Sequence, residues 1–202
     1  MTELIEEGVT PVIDERFARG AARSALAGVR APAGRSDVRQ VAALWSALER
    51  VPDPELPVVS VVELGLVRSL EWSETTLVVR VTPTYSGCPA TEVIARDIEA
   101  ALRGAGVEDV RVETVLAPAW TTDWITPAAR AKLRAFGIAP PGAAIPPKVN
   151  VAGISPLRKS APACPRCDSP RTRLVSQFGS TACKALYACL ACAEPFDYLK
   201  PI

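Results

Sequence analysis

Apolar residues along the chain switch between helical and strand spacing, and each switch marks an element. Val38, Val41, Ala42, Leu44, Trp45 and Leu48 recur at helical intervals. Ser36 is placed as the N-cap of that helix, with Asp37 in its first turn. Pro52 is expected to close it, because the residue before a proline is pushed out of the α region. A stiff loop, Asp53-Pro54-Glu55-Leu56-Pro57, comes next, then a helical turn from Val58 to Leu64 capped by Gly65. Leu66 to Trp72 and Thr76 to Thr82 read as paired strands joined around Ser73-Glu74, the second rich in β-branched Val78, Val79 and Val81. After the loop Pro83-Thr84-Tyr85-Ser86-Gly87-Cys88-Pro89, a helix is expected to about Arg103, turning Ala90, Val93, Ile94, Ile98, Ala101 and Leu102 to the core. Gly104 and Gly106 end it, and Val107 to Leu116 alternates as a strand.

Trp120 to Trp124 form a loop, and Thr126 caps a last helix to Phe136 with Pro127 at its first position. Helix, strand, strand, helix, strand over residues 37–137 predicts an α+β domain, a small α/β sandwich with a mostly antiparallel or mixed sheet. Residues 1–36, without sustained periodicity, are expected to be a flexible N-terminal extension. Residues 138–163 have the composition of a proline-rich linker, and residues 164–202 form a module of their own.

That module is defined by Cys164-Pro165-Arg166-Cys167 and Cys189-Leu190-Ala191-Cys192, two C-x-x-C knuckles 21 residues apart. Each turn presents two thiolates on one side, about 2.3 Å from a shared ion, and two turns complete a tetrahedral site. Between them Arg171 to Phe178 and Lys184 to Ala188 make the hairpin of a zinc ribbon, with Phe196 to Leu199 as a third strand. So few residues bury too little apolar surface to fold alone. A structural zinc contributes roughly 10–16 kcal/mol in comparable peptides, which decides the matter. Iron or an iron–sulfur cluster on the same thiolates is the alternative, and cysteine content alone does not choose.

Composition removes several classes of function. The chain has no histidine, so neither a Ser-His or Cys-His nucleophile pair nor an H-E-x-x-H metal site can be built. Hydrophobic residues are 49% of the chain and aromatics 5%, so the core must come from aliphatic side chains. No apolar run approaches the roughly 18 residues of a membrane span, and Glu3, Glu6 and Glu7 stand where a signal peptide carries positive charge. A cytoplasmic protein that binds neither membrane nor nucleic acid is expected. Net charge is +1, but residues 37–155 hold fourteen acidic and eleven basic side chains, whereas residues 156–202 hold three and seven. Neither balance gives the dense basic face of a nucleic-acid-binding domain.

Two of the six cysteines stand outside the knuckles. Gly87-Cys88-Pro89 puts a thiol where a helix begins, and the unpaired N–H groups there would favour thiolate. A small apolar residue at a strand–helix junction explains Cys88 equally well. Cys183 reads as a buried free thiol, although Lys184 beside it would lower its pKa and keeps a ligand role open. Asp53 and Glu55 taken alone are an ordinary solvated turn.

A resemblance changes the weight of these residues. Asp53-Pro54-Glu55-Leu56-Pro57, Val62-Glu63-Leu64-Gly65-Leu66-Val67 and Thr82 to Pro89 resemble the iron–sulfur assembly domain of SufT-like proteins. With Trp120-Thr121-Thr122-Asp123-Trp124, Phe178 to Tyr187 and Glu194-Pro195-Phe196-Asp197-Tyr198, the chain from about residue 38 to 202 is similar to the PaaD family, also called PaaJ. These are accessory subunits of the phenylacetyl-CoA epoxidase system of aerobic phenylacetate degradation. The resemblance implies a non-catalytic factor that aids iron–sulfur cluster assembly, or delivery of a cluster to the reductase component. Implied partners are the reductase and oxygenase subunits and the iron–sulfur assembly machinery; a homodimer is left open. Implied cofactors are a structural zinc and a transient iron–sulfur cluster. Cluster transfer or partner contact falls to Asp53, Glu55, Leu56, Thr84 and Cys88, with Cys183 as a further thiol. Many relatives carry two adjacent threonines before the Gly-Cys-Pro cysteine; here Thr84 fits the first and Tyr85 replaces the second. The competing readings are a docking subunit without a cluster, a nucleic-acid-binding ribbon, and a thiol enzyme using Cys88.

Overall fold

The computed structural model describes residues 38–142 and 161–202. The N-cap expected at Ser36, the extension 1–36 and most of the linker lie outside those residues.

Helix α1, Val38–Leu48, buries Val41, Leu44, Trp45 and Leu48, the i, i+3, i+4, i+7 face of an amphipathic helix. Ala42, expected on that face, is exposed, and Ala47 is buried instead. The segment Val58 to Leu64 ends in the expected helical turn, with Leu64 N–H donating to the Ser60 carbonyl at 3.0 Å. Its last turn is locked by a capping box: Ser60 Oγ accepts from Glu63 N–H at 3.1 Å, and Glu63 Oε2 from Ser60 N–H at 3.0 Å. Gly65 sits at φ +72°, and a Cβ there would lie 2.6 Å from Trp124 Cβ, so both backbone and space demand glycine.

Strands β1 (Val67–Ser73) and β2 (Thr76–Val81) pair antiparallel. Strand β3 (Val110–Thr114) lies parallel to β2, with the connection through α2 (Thr91–Gly104). A parallel neighbour requires such a crossover, so the sheet is mixed, in the order β1-β2-β3. Ile94, Ile98 and Leu102 form the buried face of α2. Helix α2 starts later than Pro89: Ala90 is its N-cap, and Cys88 and Pro89 belong to the preceding turn.

Helix α3 (Pro127–Phe136) has the expected cap, with Thr126 Oγ1 accepting from Ala129 N–H at 3.1 Å and Gly137 left-handed at its end. The stretch expected as linker begins with a short strand, β4 (Ile138–Ala139). It pairs parallel with β7 (Pro195–Leu199) of the cysteine module. With β5 (Thr172–Ser176) and β6 (Lys184–Cys189), that module builds a second sheet in the order β4-β7-β6-β5.

The two sheets are joined by more than β4. Cys183 and Leu199 of the ribbon belong to the same buried cluster as Leu56, Leu64, Leu66, Ile94 and Trp120. The Ile202 carbonyl accepts from Thr122 N–H at 3.3 Å and from Thr121 Oγ1 at 3.2 Å. The ribbon therefore shares a core with the α+β domain.

Candidate metal centre and the cavity at the domain–ribbon junction

The ribbon gathers Cys164, Cys167, Cys189 and Cys192 so that their sulfurs all lie within 4.8 Å of one another. Cys164 and Cys192 are 3.8 Å apart, and Cys167 and Cys189 3.6 Å. Four thiolates at about 2.3 Å from one ion in tetrahedral array are separated by about 3.8 Å. The spacing fits a single ion; a cluster would put iron and sulfide between the thiolates and hold them wider. The donors are also prepared electronically. The N–H groups of Cys192 and Ala191 point at the Cys189 sulfur, and with the neighbouring thiols they pull its pKa down to about 6. The Ser169 N–H draws Cys167 the same way, but Cys192, burial, Cys189 and Cys164 together push it up to about 12. Each ligand must lose its proton to bind metal, and the N–H groups at Cys189 favour that loss. The site fits zinc, with no thiolate position left for another ligand.

The second constellation lies where the ribbon meets the domain. Asp53, Glu55, Leu56, Thr84, Cys88 and Cys183 all line one cavity of about 20 Å³, with Trp120, Thr91 and Leu199 among the other walls. The structure thus brings together every residue outside the knuckles that the sequence marked.

Each reaches the cavity for a local reason. Asp53 Oδ1 accepts from Glu55 N–H at 2.9 Å and Leu56 N–H at 2.8 Å, an Asx turn between two prolines. The turn buries Leu56 and leaves Glu55 at the cavity. Asp53 is itself buried, and burial raises its carboxyl above the ordinary range against the pull of those two N–H groups. Cys88 is held by its N–H to the Tyr85 carbonyl (3.2 Å), while its own carbonyl accepts from Thr91 Oγ1 (2.8 Å). Cys183 ends the β5–β6 connection, where Lys200 N–H donates to its carbonyl at 2.9 Å. Its sulfur lies 3.1 Å from Thr181 Oγ1 and donates to Glu55 Oε2 at 3.6 Å.

Electrostatics correct two expectations. The Cys88 thiol is pushed up, not down: burial dominates, Glu55 and Asp53 add repulsion, and the Ala90 N–H only partly offsets them. The N-cap N–H of α2 at Ala90 does reach the thiol and favours thiolate, but burial outweighs it. Cys183 is also pushed up, first by burial and then by Glu55 against the help of Thr181; Lys184 lowers it less. The Lys184 ammonium points elsewhere, to the Glu55 carbonyl at 3.4 Å and Asp197 Oδ2 at 3.8 Å. Both cavity thiols are protonated at neutral pH. Tyr85 belongs to the same field, its phenol raised by burial and by Cys88, Glu55 and Cys183.

Sequence reasoning set Lys184 beside the Cys183 thiol and missed its structural part in this junction. Only 5% exposed, it ties the ribbon to the Asp53–Leu56 turn. An apolar-flanked lysine directly after Cys183 was the available signal. Other motif residues serve the scaffold: Trp120 Nε1 donates to the Leu64 carbonyl at 3.0 Å, and Glu63 takes Lys132 of α3 at 2.7 Å.

Comparison with known proteins agrees with this two-part arrangement. Residues 41–116 match the family model described as iron–sulfur cluster assembly protein, and residues 154–200 match that of the PaaD zinc beta ribbon domain. A relative from Escherichia coli (strain K12), described as a putative subunit of 1,2-phenylacetyl-CoA epoxidase, is 48% identical over 168 residues, covering 81% of this chain and 94% of its own. The chain belongs to the PaaD family. Two solved structures are similar to part of it. A domain of unknown function from Bacillus anthracis is 32% identical, with TM-score 0.43, over 47% of this chain and 92% of its own. Rv1466 from Mycobacterium tuberculosis, described as associated with [Fe-S] complex assembly and repair, is 35% identical, with TM-score 0.30, over 54% and 91%. Among the described residues of this PaaD-family chain, no helix is long and apolar enough to cross a membrane.

Proposed function

We propose that this protein is a non-catalytic maturation factor of a phenylacetyl-CoA epoxidase system, aiding assembly of the iron–sulfur cluster of the reductase component or its delivery. One observation carries this reading. Cys88 from the α+β domain and Cys183 from the ribbon line the same cavity as the carboxylates of Asp53 and Glu55. A site that sets two thiols beside two carboxylates suits a carrier, which must hold metal and release it, better than a catalyst. The ribbon zinc has a structural role: it holds β6, and the turn that leads into β6 brings Cys183 to the cavity and Lys184 to the Glu55 carbonyl. The absence of histidine leaves the cavity without a conventional base for thiol catalysis. The partners of this reading are the reductase and oxygenase components and the iron–sulfur assembly machinery, in the cytoplasm.

The test replaces the native protein with Cys88→Ser in cells that depend on the pathway. Cluster occupancy of the isolated reductase should fall severalfold while the variant keeps its ribbon zinc. Full occupancy would instead favour a docking subunit that only organises oxygenase and reductase.

A further inference from the structure

The cavity between the Asp53–Leu56 turn, the Cys88 loop and the start of β6 has a size and a donor set that say what it would carry. Its volume, about 20 Å³, is near that of a single water molecule. A cubane of four irons and four sulfides does not enter such a space. Resting on the maturation reading above, we propose that the cargo at this site is a single thiophilic divalent cation, ferrous iron in the cell, held by Cys88 and Cys183 with oxygen ligands from Glu55 and Asp53.

The donors come from three separate segments and face one volume. Cys183 is 4% exposed and its thiol already contacts Glu55 Oε2, so a sulfur and an oxygen ligand are side by side before any ion arrives. One Asp53 oxygen is used by the turn, as acceptor for Glu55 and Leu56 N–H; the second is free of that duty. Mixed thiolate and carboxylate ligands suit a borderline ion such as iron(II) and select against magnesium or calcium. The contrast with the ribbon is informative. Among the described residues, only the four knuckle cysteines are gathered at metal-ligand spacing. The cavity donors stand wider apart than that, so the ion would have to draw them in. On binding, the hydrated ion sheds water, two S–H bonds break, two metal–sulfur bonds form, and two protons go to solvent. No electron is transferred. The competing protons make binding weak and reversible, as a carrier requires.

The test uses the full chain with zinc in its ribbon, titrated without oxygen with cobalt(II) as the probe for iron(II). The expected result is one cobalt per chain beyond the ribbon zinc, with a thiolate-to-cobalt band in the near ultraviolet and two protons released per ion. C183S and C88S should each weaken this second site by more than the roughly 10–100-fold that loss of an outer partner costs a metal site. Ribbon zinc, measured in every variant, reports that the chain is folded. No second cobalt in the native chain, or a second cobalt with unchanged affinity and band in C183S, overturns the proposal. Reconstitution with iron and sulfide separates it from the maturation reading. A cluster on Cys88 that is indifferent to C183S, without lone-ion binding, sinks the single-ion site and leaves maturation standing. Lone-ion binding with reductase loading independent of Cys88 upholds the site and removes maturation.

Discussion

The six cysteines fall into two environments, and the difference between them assigns their roles. At the ribbon, four sulfurs sit at the spacing of one ion, and N–H groups stabilise a thiolate even though Cys167 and Cys192 are exposed. At the cavity, half-buried Cys88 and buried Cys183 face carboxylates, and burial first, the carboxylates second, push their pKa values up. Charge stabilisation suits a permanent ligand; in the proposed reading, charge frustration suits one that binds weakly and lets go. Proximity to a helix start or to a lysine did not decide either case. Burial and neighbouring carboxylates outweighed both.

The comparison breaks most forcefully at the ribbon. Cys189→Ala, or a strong chelator, should unfold the module, because the roughly 10–16 kcal/mol supplied by a structural zinc exceeds the stability of most domains. Because Cys183 and Leu199 share the domain core, circular dichroism should show the loss, and Cys88 should become more reactive. Next in size is Gly65→Ala. A left-handed residue costs about 1–2 kcal/mol, and the contact with Trp124 adds to it. The melting temperature should drop by roughly 10 °C, while ribbon zinc stays bound, showing that the domain is the part affected.

A gentler change reverses the electrostatics of the cavity. Glu55 holds up the pKa of both Cys88 and Cys183. In the native chain their alkylation rates should therefore still be rising above pH 9, the ordinary thiol value. Glu55→Gln should move both profiles to lower pH and raise the rate at about pH 8 severalfold, leaving the knuckle cysteines as they were. Asp53 carries the same sign into stability. Its folded pKa is raised, so its protonated form favours folding, and that contribution is lost as pH rises from 3.8 through the raised value. The smallest effect expected is for Thr126→Ala, which removes the N-cap of α3, the helix leading to β4. A loss of about 1 kcal/mol, read by denaturant unfolding, should leave metal binding and thiol reactivity unchanged.

Much of this was legible in the sequence because it depends on local rules. The two C-x-x-C knuckles, the Thr126-Pro127 start of α3, the valine-rich β2 and the Gly65 cap are each specified within a few residues. The family motifs named Asp53, Glu55, Leu56, Thr84, Cys88 and Cys183 without saying that they meet. Their meeting depends on long-range packing: β4 pairing with β7, and the start of β6 against the Asp53 loop. The stretch from Ile138 reads as linker by composition, yet its first two residues find a strand partner far along the chain. The thiol pKa directions escape the sequence for the same reason, since Glu55 and Cys183 are 128 residues apart and meet only in the fold.

Competitive alkylation of the zinc-loaded native chain, mapped cysteine by cysteine, tests the division into two sets most directly. Exposure alone ranks Cys167 and Cys192 as the first to react, ahead of half-buried Cys88 and buried Cys183. Ligation by one metal ion reverses that order. Cys88 should be modified first and Cys183 next, with all four knuckle cysteines protected until zinc is removed. Alkylation of Cys167 or Cys192 as fast as Cys88, with zinc still bound, would contradict the division.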